Sequence, residues 1–167
     1  MGQLTEQSQD LNSSAMRMSG AALGQVDGRV TRELGMVPPA VGTFAQAAME
    51  QHAAHAKAWN AVLTGAGRPA ITGVPLSNQP ATLKALGQAK DIGAVARLAL
   101  ALEDQAAQTY LFAVGNVSSP AGIKTAASIA PVEAMHAAIL HFVLGEYPVP
   151  DAFLQTDRAA NPALLTV

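Results

Sequence analysis

The sequence has no cysteine, few aromatic residues and little charge of either sign. Without cysteine there is no disulfide, no thiolate metal ligand and no thiol nucleophile. Aromatic residues make up 4% and charged residues 13%, while half of the chain is hydrophobic. A core must then be built mainly from Ala, Leu, Val and Met, side chains that suit closely packed helices. Lys and Arg number 10 against 12 Asp and Glu, with no basic run, which removes any electrostatic case for nucleic acid or an anionic membrane. No apolar run continues uninterrupted for the ~18 residues that mark a membrane span. The opening "MGQLTEQSQD" lacks the basic and apolar regions of a secretory signal. Glu6 also stands where a myristoylation pattern requires Ser or Thr. There is no glycine loop after a strand and no GxSxG elbow.

At 167 residues the chain suits one domain, long enough to bury about two-thirds of its unfolded surface. Proline and glycine divide it. The spacing of Leu11, Ala15, Met18, Ala22 and Val26 predicts a first helix over about Thr5 to Leu34, with Gly20, Gly24 and Gly28 at i+4 intervals. "GMVPPAV" breaks it, and Pro39 suits the first turn of a second helix running to about Thr64. A long segment with three prolines follows, with room for one short helix near Leu83 to Gln88. A third helix is predicted over Asp91 to Val114. A fourth, capped by Ser118 or Ser119 with Pro120 in its first turn, reaches about Gly145. Short, long and short connections between four helices describe two antiparallel hairpins joined by a crossover, a standard four-helix bundle. The expectation is therefore an all-α bundle over residues 1–146, with the long crossover between helices two and three. Residues 147–167, with three further prolines, form an extended tail whose Phe153, Leu154, Leu164, Leu165 and Val167 suit self-association.

What is present stands out against this background. "IAPVEAMHAAILHFVLGEYPVPDAF" carries Glu133 and His136 in the middle of an apolar helix, three residues apart and therefore stacked on one face. Charged groups there need partners, because burying a charge alone costs several kcal/mol or more. Helix two offers His52 and His55, and helix three offers Glu103 inside "LALALE" with Tyr110 further along. All sit near mid-helix, at one level of an antiparallel bundle. Two carboxylates and three imidazoles are enough donors for one or two first-row metal ions. They are also enough for a metal-free hydrogen-bonded cluster, with His52 and His55 a structural pair beside Trp59. Tyr110 reads as a core residue with a satisfied hydroxyl, and Glu50, His141 and Glu146 as solvent-facing or helix-end groups. In the metal reading, Glu103, Glu133, His136 and His55 share the ion, with His52 behind them or as a fifth ligand.

"QHAAHAKAWNAVLTGAGRPA", "LALALEDQAAQTYLFAV" and "IAPVEAMHAAILHFVLGEYPVPDAF" together resemble the bacterial ferritin-like domain proteins, often exported by a twin-arginine signal. The likeness spans about Pro39 to Phe153. It implies a ferritin-like bundle and an iron or manganese centre, di-iron in many relatives. Glu103 would be the helix-three carboxylate, and Glu133 with His136 the helix-four ExxH pair. His52 and His55 take the helix-two pair, with His where the pattern has Glu. The carboxylate that helix one should supply has only Glu6 or Asp10 as candidates. The resemblance also implies export if a leader precedes this chain, and a cytoplasmic location otherwise.

Two functions are compatible with these residues. One is a metal-binding protein with oxidoreductase activity. The other is a non-catalytic, structural or self-assembling homo-oligomer that has lost the site; neither involves nucleic acid or a membrane span.

Overall fold

The computed structural model describes residues 39–73 and 76–164. The predicted first helix, its glycine series, and Glu6 and Asp10 lie outside the described residues. Three long helices and one short one follow: α1 (Pro39–Gly65), α2 (Gln79–Gln88), α3 (Ile92–Asn116) and α4 (Pro120–Val143), with a 3-10 turn at Pro162–Leu164. No β-strand occurs among the described residues.

Local chemistry sets the boundaries. Asp91 caps α3 by accepting from the Ala94 amide at 2.7 Å, and Ser119 caps α4 by accepting from Gly122. Gly145, at φ +77°, ends α4 in the left-handed region. There Gly145 N–H donates to the Phe142 carbonyl and Glu146 N–H to that of His141, the paired bonds of a Schellman ending. The crossover helix α2 starts at Gln79, earlier than the predicted Leu83. Pro80 sits in its first turn, where a missing N–H costs nothing, so that proline opens the helix.

Packing fixes direction. One apolar layer joins Trp59 of α1 to Tyr110 and Ala113 of α3 and to Ala126, Ile129 and Ala130 of α4. A second joins Phe44 to Ala96, Ala99, Leu100, Ala137 and Leu140. These layers require α3 and α4 to run antiparallel, and α1 to run parallel to α3. Parallel helices cannot be joined by a tight turn, which is why a long crossover separates α1 from α3. Asn60 holds the start of that crossover, donating to the Ile71 carbonyl and accepting from its amide.

The helix α4 is long and apolar enough in composition to cross a membrane, although only 39% of its most apolar stretch is buried inside the protein. Here it is packed along α3 and against α1, and it carries the buried Glu133 and His136.

The C-terminal segment is less free than its prolines suggest. Arg158 N–H donates to Gln108 Oε1 and Ala160 N–H to Thr109 Oγ1, both at 2.8 Å. Further on, Leu164 accepts from the amide of Ser77 in the crossover. Residues 151–158 are exposed, but Ala160 is buried against the bundle.

Candidate metal centre

Between the two apolar layers lies one polar layer. It arises because each long helix interrupts its apolar stripe at the same height: α1 with His52 and His55, α3 with Glu103, α4 with Glu133 and His136. Both carboxylates are wholly buried, at 0% exposure, and His52 and His136 nearly so.

Glu133 is the hub. Its Oε2 lies 3.0 Å from His52 Nε2 and 3.3 Å from His136 Nδ1, and its Oε1 lies 2.9 Å from His55 Nδ1. Glu103 approaches the same imidazoles from α3, with Oε2 3.3 Å from His136 Nδ1 and Oε1 3.4 Å from His52 Nε2. The second nitrogen of His136, Nε2, contacts Gln51 Oε1 at 2.6 Å. The His52 and His136 rings meet edge to face at 5.2 Å.

The electrostatics follow from burial and proximity. Burial disfavours the charged form of His52, but Glu103 and Glu133 outweigh it and raise its pKa from 6.5 to about 10. His136 follows the same logic, opposed by burial yet raised by both carboxylates to about 9. Burial pushes the Glu103 carboxyl up, and His136 and His52 offset only part of that. At Glu133 burial acts in the same direction. Hydrogen bonds from His136, His52 and His55 overcome it and hold this carboxyl far below the usual carboxylate range. The two acids are thus pushed apart, as expected for like groups sharing one site.

Ligand atoms of His52, Glu103, Glu133 and His136 all fall within 4.8 Å of one another. Two imidazoles and two carboxylates fit a divalent first-row ion by donor type and by charge, since the carboxylates neutralise it. Glu103 Oε1, buried and without a well-formed hydrogen bond, is a donor available to such an ion.

The sequence profile described as "Ferritin-like domain" matches residues 7–146, a span that takes in all five of these residues. The chain belongs to the ferritin-like domain family. Its architecture is the family's all-α four-helix bundle, whose match begins ahead of α1. A solved structure described as a conserved hypothetical protein, rv2844, from Mycobacterium tuberculosis shares the fold. It is 19% identical, the TM-score is 0.67, and the alignment covers 91% of this chain and 98% of that one. No curated protein matches.

Against the expectations from sequence, this ferritin-like chain brings all five predicted residues into one cluster, with His52 nearer its centre than His55. His52, expected behind the others or as a fifth ligand, is central; His55, expected as a ligand, stands outside the four-residue group and holds Glu133 Oε1. Glu50 and the His141–Glu146 pair lie apart from the cluster. Glu50 is exposed and pairs with Gln46, while His141 pairs with exposed Glu146 at 2.6 Å. Tyr110 is fully buried and stacks on Trp59, and its hydroxyl makes no well-formed hydrogen bond among the described residues.

Gln51 was not singled out by sequence. The available signal was its i,i+4 relation to His55, which places both on one side of α1.

Proposed function

We propose that the cluster is a mononuclear iron or manganese site held by His52, Glu103, Glu133 and His136, and that the protein is a metal-dependent oxidoreductase. The observation that carries the proposal is the four-residue group itself: four donors from three helices, buried and within 4.8 Å of one another. Chance burial of two carboxylates is rare, because each uncompensated charge costs several kcal/mol or more.

A bound ion would supply one-electron chemistry toward dioxygen or peroxide. The protein's own residues set the conditions. Glu103 and Glu133 balance the charge of a divalent ion in a dry interior. Gln51 Oε1 accepts from His136 Nε2, which leaves Nδ1 facing the two carboxylates. His55 occupies the outer oxygen of Glu133 and orients that carboxylate. The apolar layers above and below keep out water.

A second reading has its own observation. Glu133 already accepts from three imidazoles, so the cluster satisfies most of its own polar atoms without metal, as a structural bundle that had lost the site would. Titrating metal-free protein with ferrous iron or manganous ion separates the two. Saturable uptake near one ion per chain supports the metal site, and no uptake supports the structural bundle.

A further inference from the structure

A concavity lies away from the polar layer, where the C-terminal segment is strapped back over α3 and α4. The strap is fastened at Gln108 and Thr109 by the Arg158 and Ala160 amides. Between the end of α4 and those fastenings it encloses a partly open cleft of about 560 Å³. That volume lies within the usual range for small-molecule sites, which are mostly apolar with a few converging polar groups. The buried Ala107 and Ala137 give it depth, since neither side chain fills the space beneath the strap. Met135, Val149 and Phe153 supply apolar wall, and all three are largely exposed at 60%, 63% and 79%.

The polar groups are unequal in sign. Asp104, Asp151 and Asp157 line the cleft against a single Arg158. His141 is also there, but its Nδ1 is already engaged by Glu146 at 2.6 Å. Asp104 is the inner of the acids, with its side chain 25% exposed. Its one cationic contact is Arg158 Nη1 at 3.6 Å, from a side chain that is 67% exposed. Such a solvated pair is worth little. This acid therefore sits beneath an apolar opening with one loosely held cation beside it.

We propose that the cleft binds a small amphipathic organic cation, an apolar body bearing one ammonium group, with Asp104 as the counter-charge and Met135, Val149 and Phe153 as the apolar wall. The cation would displace the loosely held Arg158 side chain while the strap's backbone bonds stay in place. An anion is disfavoured because it would face three carboxylates for one guanidinium. The proposal is independent of the metal site, whose residues it does not use.

The test is calorimetric titration of the full chain with three matched probes: 4-phenylbutylamine, 4-phenylbutan-1-ol and 4-phenylbutyrate. The amine is expected to bind saturably, the alcohol at least about tenfold more weakly, and the acid more weakly still. Asp104→Asn, shape-conserving, should abolish the preference for amine over alcohol. Arg158→Gln, on the exposed strap, should tighten the amine several-fold by freeing Asp104. The proposal is overturned if the amine shows no saturable binding, if the alcohol or acid matches it, or if the amine preference survives Asp104→Asn. It is equally overturned if Arg158→Gln weakens the amine.

Discussion

His52 Nε2 of α1 meets Glu133 Oε2 of α4 at 3.0 Å, 81 residues apart in sequence and with both side chains almost wholly buried. This contact ties the first described helix to the last through a charged pair in an apolar bundle. Buried pairs of this kind are weak evidence for stability, but removing one partner is costly because the other is left uncompensated. The cluster is therefore read as a site that the fold tolerates and that a metal would relieve.

Glu133→Ala should be the most damaging single change. In metal-free protein it takes the carboxylate from His55 and leaves His52 and His136 to share Glu103 alone, and roughly 3–5 kcal/mol of stability should be lost. In metal-loaded protein it should also lower occupancy steeply. Glu50→Ala, two residues from His52 but exposed on another face of α1, should stay within about 0.5 kcal/mol and leave metal content unchanged. Denaturant melts and metal analysis of both variants check this, and equal effects would contradict the site.

Stability and metal uptake should depend on pH in opposite senses. His52 and His136 are raised to about 10 and about 9. Their stabilising contribution is therefore fully present below the ordinary value of 6.5 and is lost as pH rises through that alkaline range. The lowered Glu133 contributes above the ordinary carboxylate value and loses its contribution as pH falls below it. Metal-free protein should accordingly be most stable between these limits and weaken toward pH ~10. Metal needs the imidazoles neutral, so uptake near pH 7 should release about two protons and strengthen as pH rises. Calorimetry in buffers of different ionisation heat counts the protons; none released would contradict the assignment.

Gln51→Ala removes the acceptor for His136 Nε2. It should cost about 1–2 kcal/mol in metal-free protein and lower metal affinity by roughly 10–100-fold. Competition titration against a chelator measures the second effect. Unchanged affinity would show that Gln51 does not orient the ligand.

The sequence made some of this legible and hid the rest for physical reasons. The three long described helices were readable because Pro39, Asp91, Ser119 and Pro120 mark their starts and a 3.6-residue apolar period runs between. The polar layer was readable because Glu103 and Glu133 interrupt that period, and ionisable groups in such positions need company. The order of His52 and His55 was not, since both project from one side of α1. Only the rotation of that helix against α4 decides which ring is central. The role of Gln51 depends on a contact 85 residues away, and the cleft on bonds spanning about 50. Neither leaves a periodic trace.

Truncation after Phe153 tests the strap. It removes the amides of Arg158 and Ala160, leaving Gln108 Oε1 and Thr109 Oγ1 without those donors on α3. A loss of about 1–3 kcal/mol is expected, with the helical content of the bundle retained. Coincident melting curves for full-length and truncated protein would show that the fastenings carry no stability.

The central claim is tested most directly by elemental analysis of protein from cells supplied with iron and manganese, purified without chelator or nickel resin. The account predicts about one iron or manganese ion per chain, falling to background when Glu103 and Glu133 are both replaced by alanine. Wild-type protein that takes up no metal even on titration, or metal that survives loss of both carboxylates, would contradict it.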